Sequence, residues 1–243
     1  MTYISLFCIF LAAGFTQGVT GFGFGLLALP LLTFIIHIKT AIPLCSLHGL
    51  LITGYLTFRL RGHIDRNKIG PLLIGCLPGI VAGVIFLKKA PADLLAALLG
   101  IMLILYSGYR LFAKPAARRV INPAWAYVAG FFTGAIGAAF SAGGPPTIIY
   151  TTLTGWDKDD IKATLSGFFL AGGVFISLAH AINGLTTLLV LRSFAMTAPA
   201  VIIGVVAGSY LYEKIDAQQY IRLLLYLLLI MGFFMLRSLF SMM

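Results

Sequence analysis

Residues 14–30 read GFTQGVTGFGFGLLALP, and residues 130–146 read GFFTGAIGAAFSAGGPP. Each stretch places glycines, hydroxyl side chains and proline in the middle of a long apolar run. The pattern Gly-Phe-x-x-Gly-x-x-Gly begins at Gly14 and occurs again at Gly130. The two stretches therefore predict a duplicated chain, and each half is expected to contain one interrupted helix.

The composition places the chain in a membrane. Of its 243 residues 60% are hydrophobic and 10% are charged, whereas a soluble domain has roughly 25% charged residues. Long uncharged runs alternate with short charged connections, which is typical of a polytopic helical protein. The apolar N-terminal run has no preceding Lys or Arg, so it is expected to start the first membrane element rather than a cleaved signal peptide.

The predicted fold class is all-α, with two homologous repeats in the membrane. Residues 1–113 are expected to form the first repeat and residues 124–243 the second. Residues 114–123, which read KPAARRVINP, are expected to form a cytoplasmic connecting loop. Each repeat should contain one broken element, at about 3–37 or 124–156, followed by three transmembrane helices.

The broken elements are open to two arrangements, because each either crosses the membrane or turns back. If both turn back, Lys and Arg divide 12 to 5 between the two sides; if both cross, they divide 10 to 7. The stronger bias favours re-entrant elements, and an odd number of spans per repeat then inverts the second repeat. The first element is expected to break at 16–24, into short halves near 3–15 and 25–37, and the second element is expected to break at 137–146.

The predicted breaks are candidates for a binding site. Broken backbone at membrane depth must be buried in protein or line a wet cavity, and paired breaks are typical of transport sites. Glycine lets peptide N–H groups face a ligand, and helix N-termini attract anions. The candidate substrate-binding residues are Thr16, Gln17, Thr20, Gly21, Gly23, Gly25, Ser46, Thr133, Gly137, Ser141, Gly143, Gly144, Pro145 and Ser166.

Several function classes are disfavoured by what the sequence lacks. All seven Asp and Glu residues fall in loops or at the ends of predicted elements, so a cation substrate or carboxylate proton coupling is not expected. The three cysteines have no CxxC spacing, and no hydrolase, zinc-protease or phosphate-loop motif occurs. The predictions are therefore no enzyme activity, no metal and no cofactor. The Lys and Arg residues lie in connections, and nucleic-acid binding is not expected.

Some of these residues also have plainer interpretations. The spacing of Gly14 with Gly18 is common where membrane helices pack closely. His48 and His180 could mark a proton path or hydrogen-bond within the bundle. Ser46 and Ser166 are interpreted as repeat counterparts near the site. Lys39 could add positive potential at an entrance, or could be a solvated loop charge.

The glycine-rich stretches resemble a known family. Gly14, Gly18, Gly21-Phe22-Gly23 and Gly25, followed by Ala28 and Pro30-Leu31-Leu32, resemble the first signature of the TauE/SafE membrane permeases. Residues 130–146, with their Gly-Gly-Pro-Pro ending, resemble the second. The resemblance covers nearly the whole chain. The first signature often has three consecutive glycines, whereas here Phe24 and Leu26 interrupt the run.

This resemblance implies a multi-pass transporter of the bacterial plasma (inner) membrane that moves sulfite, sulfoacetate, other organosulfonates or thiosulfate. The expected partners are a small anionic substrate and the lipid bilayer, and a homo-oligomer is compatible with the sequence. An anion channel and a non-transporting scaffold or assembly subunit remain as alternatives. Transport direction and the coupling ion are left open by the sequence.

Overall fold

The computed structural model describes residues 2–112, 122–154, 158–212, 214 and 216–240. In that part of the chain the structure is helical and contains no strand, as predicted. The α-helices are α1 (Thr2–Thr20), α2 (Phe24–Thr33), α3 (Ile38–Arg59), α4 (Arg66–Lys89), α5 (Ala92–Phe112), α6 (Trp125–Phe140), α7 (Gly144–Thr154), α8 (Lys158–Ile182), α9 (Leu188–Leu211) and α10 (Ala217–Phe240). Most of the predicted 114–123 connection lies outside the described residues.

Seven of the described helices are long and apolar enough to cross a membrane. They are α1, α3, α4, α5, α8, α9 and α10. Helices α2 and α6 are apolar but shorter, and α7 has 11 residues. Large apolar side chains such as Ile74, Leu105 and Phe234 are exposed on the outside of the bundle, as expected for a surface that faces lipid.

The first break lies within the predicted 16–24 stretch but is shorter. Helix α1 continues to Thr20, and residues 21–23 separate it from α2, so the expected halves of similar length are wrong. Thr16 and Thr20 remain helical, and each hydroxyl donates to the carbonyl four residues earlier, at 2.9 and 2.8 Å. Gly21 and Gly23 adopt φ values of 81° and 97°, which glycine tolerates without steric cost.

The second break comprises residues 141–143, between α6 and α7. Ser141 has a φ of 51°, the one positive φ at a non-glycine residue in the described chain. The predicted interruption over 137–146 is wider than the one observed. Gly144 and Pro145 already belong to α7, because proline is tolerated in the first helical turn, where its missing N–H would have no helical partner.

Two helix pairs join the halves of the chain through glycine. Gly75 and Gly83 of α4 approach the backbone of α6 so closely that a Cβ would overlap the carbonyl oxygens of Tyr127 and Ala135, respectively. Gly14 of α1 faces Val201 of α9 in the same way. Small residues allow such backbone approach in membrane helices.

The contacts also fix the relative directions of the helices. Residue numbers rise together along α4 and α6, and along α1 and α9, so both pairs are parallel. Helices α3 and α8 are antiparallel, because Gly54 lies near Leu170 whereas Leu50 lies near Gly173. The largest cluster of buried apolar side chains draws on both halves of the chain.

Candidate functional site

The two breaks meet inside the bundle. Gly25, in the first turn of α2, lies directly against the carbonyl group of Ser141. A cavity of about 120 Å³ lies beside this contact, between the breaks and the middle parts of α3 and α8. The four segments thus bring residues from both halves of the chain to one cavity.

Many of the predicted site residues line this cavity. The wall includes Gln17, Gly23, Gly25, Ser46, Thr133, Gly137, Ser141, Gly143 and Gly144. The other predicted residues, Thr16, Thr20, Gly21, Pro145 and Ser166, are not part of the wall. Thr16 instead hydrogen-bonds the Tyr220 hydroxyl at 2.7 Å, and Ser166 donates to the Lys162 carbonyl at 2.7 Å.

The interpretation of Ser46 and Ser166 as repeat counterparts is not supported by their positions. Aligning Lys39 with Lys162 pairs Ser46 with Phe169 instead, and both of these residues line the cavity. The same alignment pairs wall residues of α3 with wall residues of α8 on one face of each helix. Ser46 and Ser166 share a hydroxyl group, but they do not occupy equivalent positions along α3 and α8.

Sequence reasoning missed several wall residues. Cys45, Gly49, Thr53, Cys76, Phe168, Phe169, Gly172, Gly173 and Ile176 line the cavity along with Phe22 and Phe24. The glycines could have been found, since Gly49 and Gly172 are equivalent when the two lysines are aligned. The aromatic residues could not, because phenylalanine in an apolar helix gives no indication of whether it faces lipid or a cavity.

The N-terminus of α2 supplies main-chain donors at the cavity. Its N-cap residue is Gly23, and no side-chain cap is present within the described chain. The Leu27 N–H bonds the Gly23 carbonyl at 3.0 Å, so this is where the helical ladder begins. The preceding N–H groups of Phe24, Gly25 and Leu26 therefore have no partner in the ladder, and the partial positive charge of the helix end faces the cavity wall.

The N-terminus of α7 differs from that of α2. Helix α7 begins Gly144-Pro145-Pro146, and proline has no N–H group. The second break thus presents fewer main-chain donors than the first.

Gln17 adds a side-chain donor near the N-terminus of α2. Its side chain is 6% exposed and lines the cavity. No hydrogen bond to its amide group is present among the described residues, whereas the neighbouring Thr16 hydroxyl is fully bonded. A buried primary amide is normally satisfied, so an unpartnered one facing a cavity marks a position for a polar ligand.

A hydroxyl pair holds the second break against α3. The Ser141 hydroxyl donates to the Ile42 carbonyl at 2.7 Å and lies 2.7 Å from the Ser46 hydroxyl. The left-handed backbone at Ser141 directs its side chain toward α3. These bonds stabilise a conformation that costs roughly 1–2 kcal/mol for an L-residue.

The cavity wall is electrically neutral. No charged side chain belongs to it, as far as the described residues show. These residues also contain no group of three or more His, Cys, Asp or Glu that could hold a metal ion. Polarity at the wall therefore comes from main-chain dipoles, hydroxyl groups and one amide.

The two buried histidines lie outside the wall. The His48 ring bonds the Leu44 carbonyl at 2.8 Å and the Thr197 hydroxyl at 2.9 Å, and it stacks on Phe10. The His180 Nε2 lies 2.8 Å from the Ala138 carbonyl oxygen. Both rings connect helices, which agrees with the hydrogen-bonded packing interpretation.

Membrane-length helices around a neutral cavity, with two broken helices in its wall, define a membrane permease. The chain matches the family model described as sulfite exporter TauE/SafE over residues 6–235, and it belongs to that family. Members of this family are membrane transporters of the sulfite-exporter type rather than enzymes. No curated protein and no solved structure gives a significant match.

Proposed function

We propose that this protein is a secondary transporter that binds a small sulfur-containing oxyanion in the cavity between the two breaks. The observation that carries the proposal is the buried Gln17 amide, which has no partner in the described chain and faces the cavity beside the N-terminus of α2. Sulfite, thiosulfate, sulfoacetate and other organosulfonates are the substrate candidates. Each has oxygen atoms that accept hydrogen bonds from amide and hydroxyl groups.

The charge of the substrate follows from the dipoles at the wall. The N-terminus of a helix carries a partial charge of roughly +0.5. A neutral wall leaves this charge uncompensated, because no carboxylate faces the cavity from the described residues. An anion is therefore favoured over a cation, and the absence of a fixed lysine or arginine from the wall allows the anion to leave again.

We also infer that the two repeats are inverted and that both broken elements are re-entrant. Helix α8 is antiparallel to α3, and α9 follows α8 through a short connection and runs back. Helix α9 therefore runs in the direction of α3, and so does α1, which is parallel to α9. Because α1 and α3 run in the same direction, α2 between them must run back toward the side on which α1 begins. The same reasoning applies to α6, α7 and α8, since Ile69 and Cys76 of α4 lie beside Gly167 and Gly172 of α8.

The helix pairs suggest which parts move during transport. The pairs α1–α9 and α4–α6 are each packed backbone to backbone through glycine, so each should move as a rigid unit. The cavity lies between residues carried by these pairs and by α3 and α8. Alternating access would then change the relative positions of the two pairs around a fixed binding site.

The test is anion binding to the purified protein. Isothermal titration with thiosulfate, sulfite and sulfoacetate, with chloride as the comparison, is expected to show saturable binding of at least one sulfur anion. Gln17→Leu should weaken that binding about five- to tenfold, the loss of one hydrogen bond to a charged ligand. Gln17→Glu should abolish it. Equal affinity in the wild type and Gln17→Glu would contradict the site.

Two further measurements separate the alternatives. Uptake of labelled thiosulfate by a transporter saturates and is accelerated by unlabelled thiosulfate inside the proteoliposomes, whereas an anion channel shows no such acceleration. A scaffold subunit would bind none of the three anions. Placement in a bacterial plasma membrane, with the 59–68 connection in the cytoplasm, is proposed from the distribution of Lys and Arg.

A further inference from the structure

Lys162 makes a contact between α8 and the end of α1 that the sequence did not predict. Its ammonium group donates to the Gly18 carbonyl at 3.2 Å and lies 3.9 Å from the centre of the Tyr212 ring. Its methylene groups cover Gly21, where a Cβ would meet them at 3.0 Å. A lysine counted as a loop charge is thus placed at the first break.

The equivalent lysine of the first half does not make this contact. Lys39 corresponds to Lys162 in the pairs Lys39-Thr40-Ala41 and Lys162-Ala163-Thr164. The Lys39 ammonium group donates to the Lys88 carbonyl at 3.3 Å, in an exposed position at the end of α4. The two ends of the molecule therefore differ, although the fold is similar in both halves.

Lys162 lies on the side of the molecule that carries the 59–68 connection. The Asp65 N–H donates to the Thr164 hydroxyl at 3.2 Å, and Ile64 packs near Gly167. Lys39 lies at the other end, where α4 terminates. Only one of the two sides of the bundle thus has a lysine in contact with a break, among the residues that the structure describes.

We propose that Lys162 strengthens anion binding at the first break, where the arriving oxyanion replaces the Gly18 carbonyl as the partner of the ammonium group. This inference rests on the proposed function. The ammonium group is a charged donor toward either partner, and an oxyanion adds a Coulomb attraction that the neutral Gly18 carbonyl lacks. This added attraction favours the exchange.

Gly18 lies in the same turn of α1 as the wall residue Gln17. An oxyanion held by Lys162 would therefore lie within about one helical turn of the cavity wall. The exchange also releases α1 from α8, because the hydrogen bond to Gly18 joins the two helices. Lysine is suited to this role, since its ammonium group sits on a flexible stem and rotates between partners.

The test compares three variants in proteoliposomes by initial uptake of labelled thiosulfate. Lys162→Met keeps a long apolar stem over Gly21 but removes the charge, whereas Lys162→Arg keeps the charge. Lys39→Met is the matched control at the equivalent position. If Lys162→Met cannot be recovered, Lys162→Gln carries the same expectation, because it keeps a donor for Gly18 but has no charge.

Lys162→Met is expected to raise KM about tenfold at low ionic strength, the loss of one charge-assisted hydrogen bond, with kcat within about twofold of the wild type. Added potassium gluconate should raise the wild-type KM by screening and leave that of Lys162→Met nearly unchanged. Lys162→Arg and Lys39→Met should both retain the wild-type salt dependence.

The effect should appear only when thiosulfate is presented on the side of the 59–68 connection. A wild-type KM and salt dependence in Lys162→Met would overturn the proposal, and so would a fall in kcat alone, which indicates a purely structural contact. If the wild-type protein neither binds nor takes up a sulfur anion, the proposed function itself fails. If wild-type uptake is normal and Lys162→Met behaves like the wild type, only the proposed role of Lys162 fails.

Discussion

Gly25 of the first half of the chain and Ser141 of the second half lie in direct backbone contact. The α-carbon of Gly25 faces the Ser141 carbonyl group, and any side chain at this position would overlap it. Gly25 belongs to the first turn of α2, and Ser141 ends α6. This single contact sets how closely the two breaks approach and hence the size of the cavity beside them.

Gly25→Ala is therefore expected to separate the breaks. Overpacking of this kind costs about 1–3 kcal/mol, and thiosulfate transport should fall more than tenfold, because the cavity loses its shape. The matched control is Gly108→Ala in α5, where no atom lies within 4 Å of the added Cβ. Uptake and thermal stability in detergent are measured for both variants; wild-type uptake in Gly25→Ala would refute this account of the contact.

Ser141 combines a left-handed backbone with two hydrogen bonds, so its substitutions should rank in a definite order. Ser141→Gly loses the bonds to Ile42 and Ser46 but relieves a backbone cost of roughly 1–2 kcal/mol. Ser141→Ala loses the same bonds without that relief. Thermal unfolding in detergent should therefore place Ser141→Ala below Ser141→Gly, and the reverse order would show that the φ of 51° is not retained.

The glycine contacts between α4 and α6 predict a stability effect that is independent of the site. Gly79→Ala places a methyl group against the Phe131 carbonyl and should lower the free energy of unfolding by about 1–3 kcal/mol. Gly108→Ala, in the interior of α5 and with open space around it, should be neutral or stabilising by about 0.5–1 kcal/mol. Thermal denaturation followed by circular dichroism compares the two variants.

The reactivity of the two cysteines in the cavity wall reports whether an anion occupies the cavity. Cys45 and Cys76 line the wall, whereas Cys8 is exposed on the outside of α1. In a Cys8→Ser background, saturating thiosulfate should slow N-ethylmaleimide modification of both remaining cysteines severalfold. Mass spectrometry resolves the two sites. Modification rates that do not change with thiosulfate would place the bound anion elsewhere.

Substitution of Thr197, which hydrogen-bonds His48, distinguishes a packing role of this histidine from a role in a proton path. Thr197→Val removes the hydroxyl partner of the His48 Nε2 atom, and an unsatisfied buried group costs about 1–3 kcal/mol. Thermal stability should fall, while the thiosulfate KM and its pH profile should match those of the wild type. A shifted pH profile in Thr197→Val or His48→Gln would instead support proton coupling through this pair.

The general design of the fold could be predicted from the sequence, because it depends on composition and on local backbone chemistry. Charge content predicts the membrane, and the glycine clusters predict the breaks. The extent of the first break could not be predicted, because Thr16 and Thr20 stay in α1 with their hydroxyls bonded to preceding carbonyls, and residue type alone does not decide between that bond and a ligand. Gln17 and Ser141, which lie in or beside the predicted breaks, could be assigned to the wall from the sequence, and so could Ser46 of α3.

What could not be predicted depends on contacts between distant segments. The close approach of Gly25 to Ser141 and the position of Lys162 both require the helices to be assembled. Gly14, Gly18, Gly130 and Gly134 match the broken-helix pattern as well as Gly25 does, yet they pack against neighbouring helices rather than line the cavity. Identical residue types thus serve different purposes in neighbouring turns.

Helices of the first half pack against helices of the second half, and this packing has a consequence for membrane insertion during synthesis. The glycine face of α4 is covered by α6, and that of α1 is covered by α9, so the N-terminal half leaves the ribosome before its partners exist. Until α6 and α9 are inserted, the glycine faces of α1 and α4 are exposed to lipid. Two half-length polypeptides, divided near residue 118 and co-expressed, should accordingly rescue one another, whereas either one alone should be degraded.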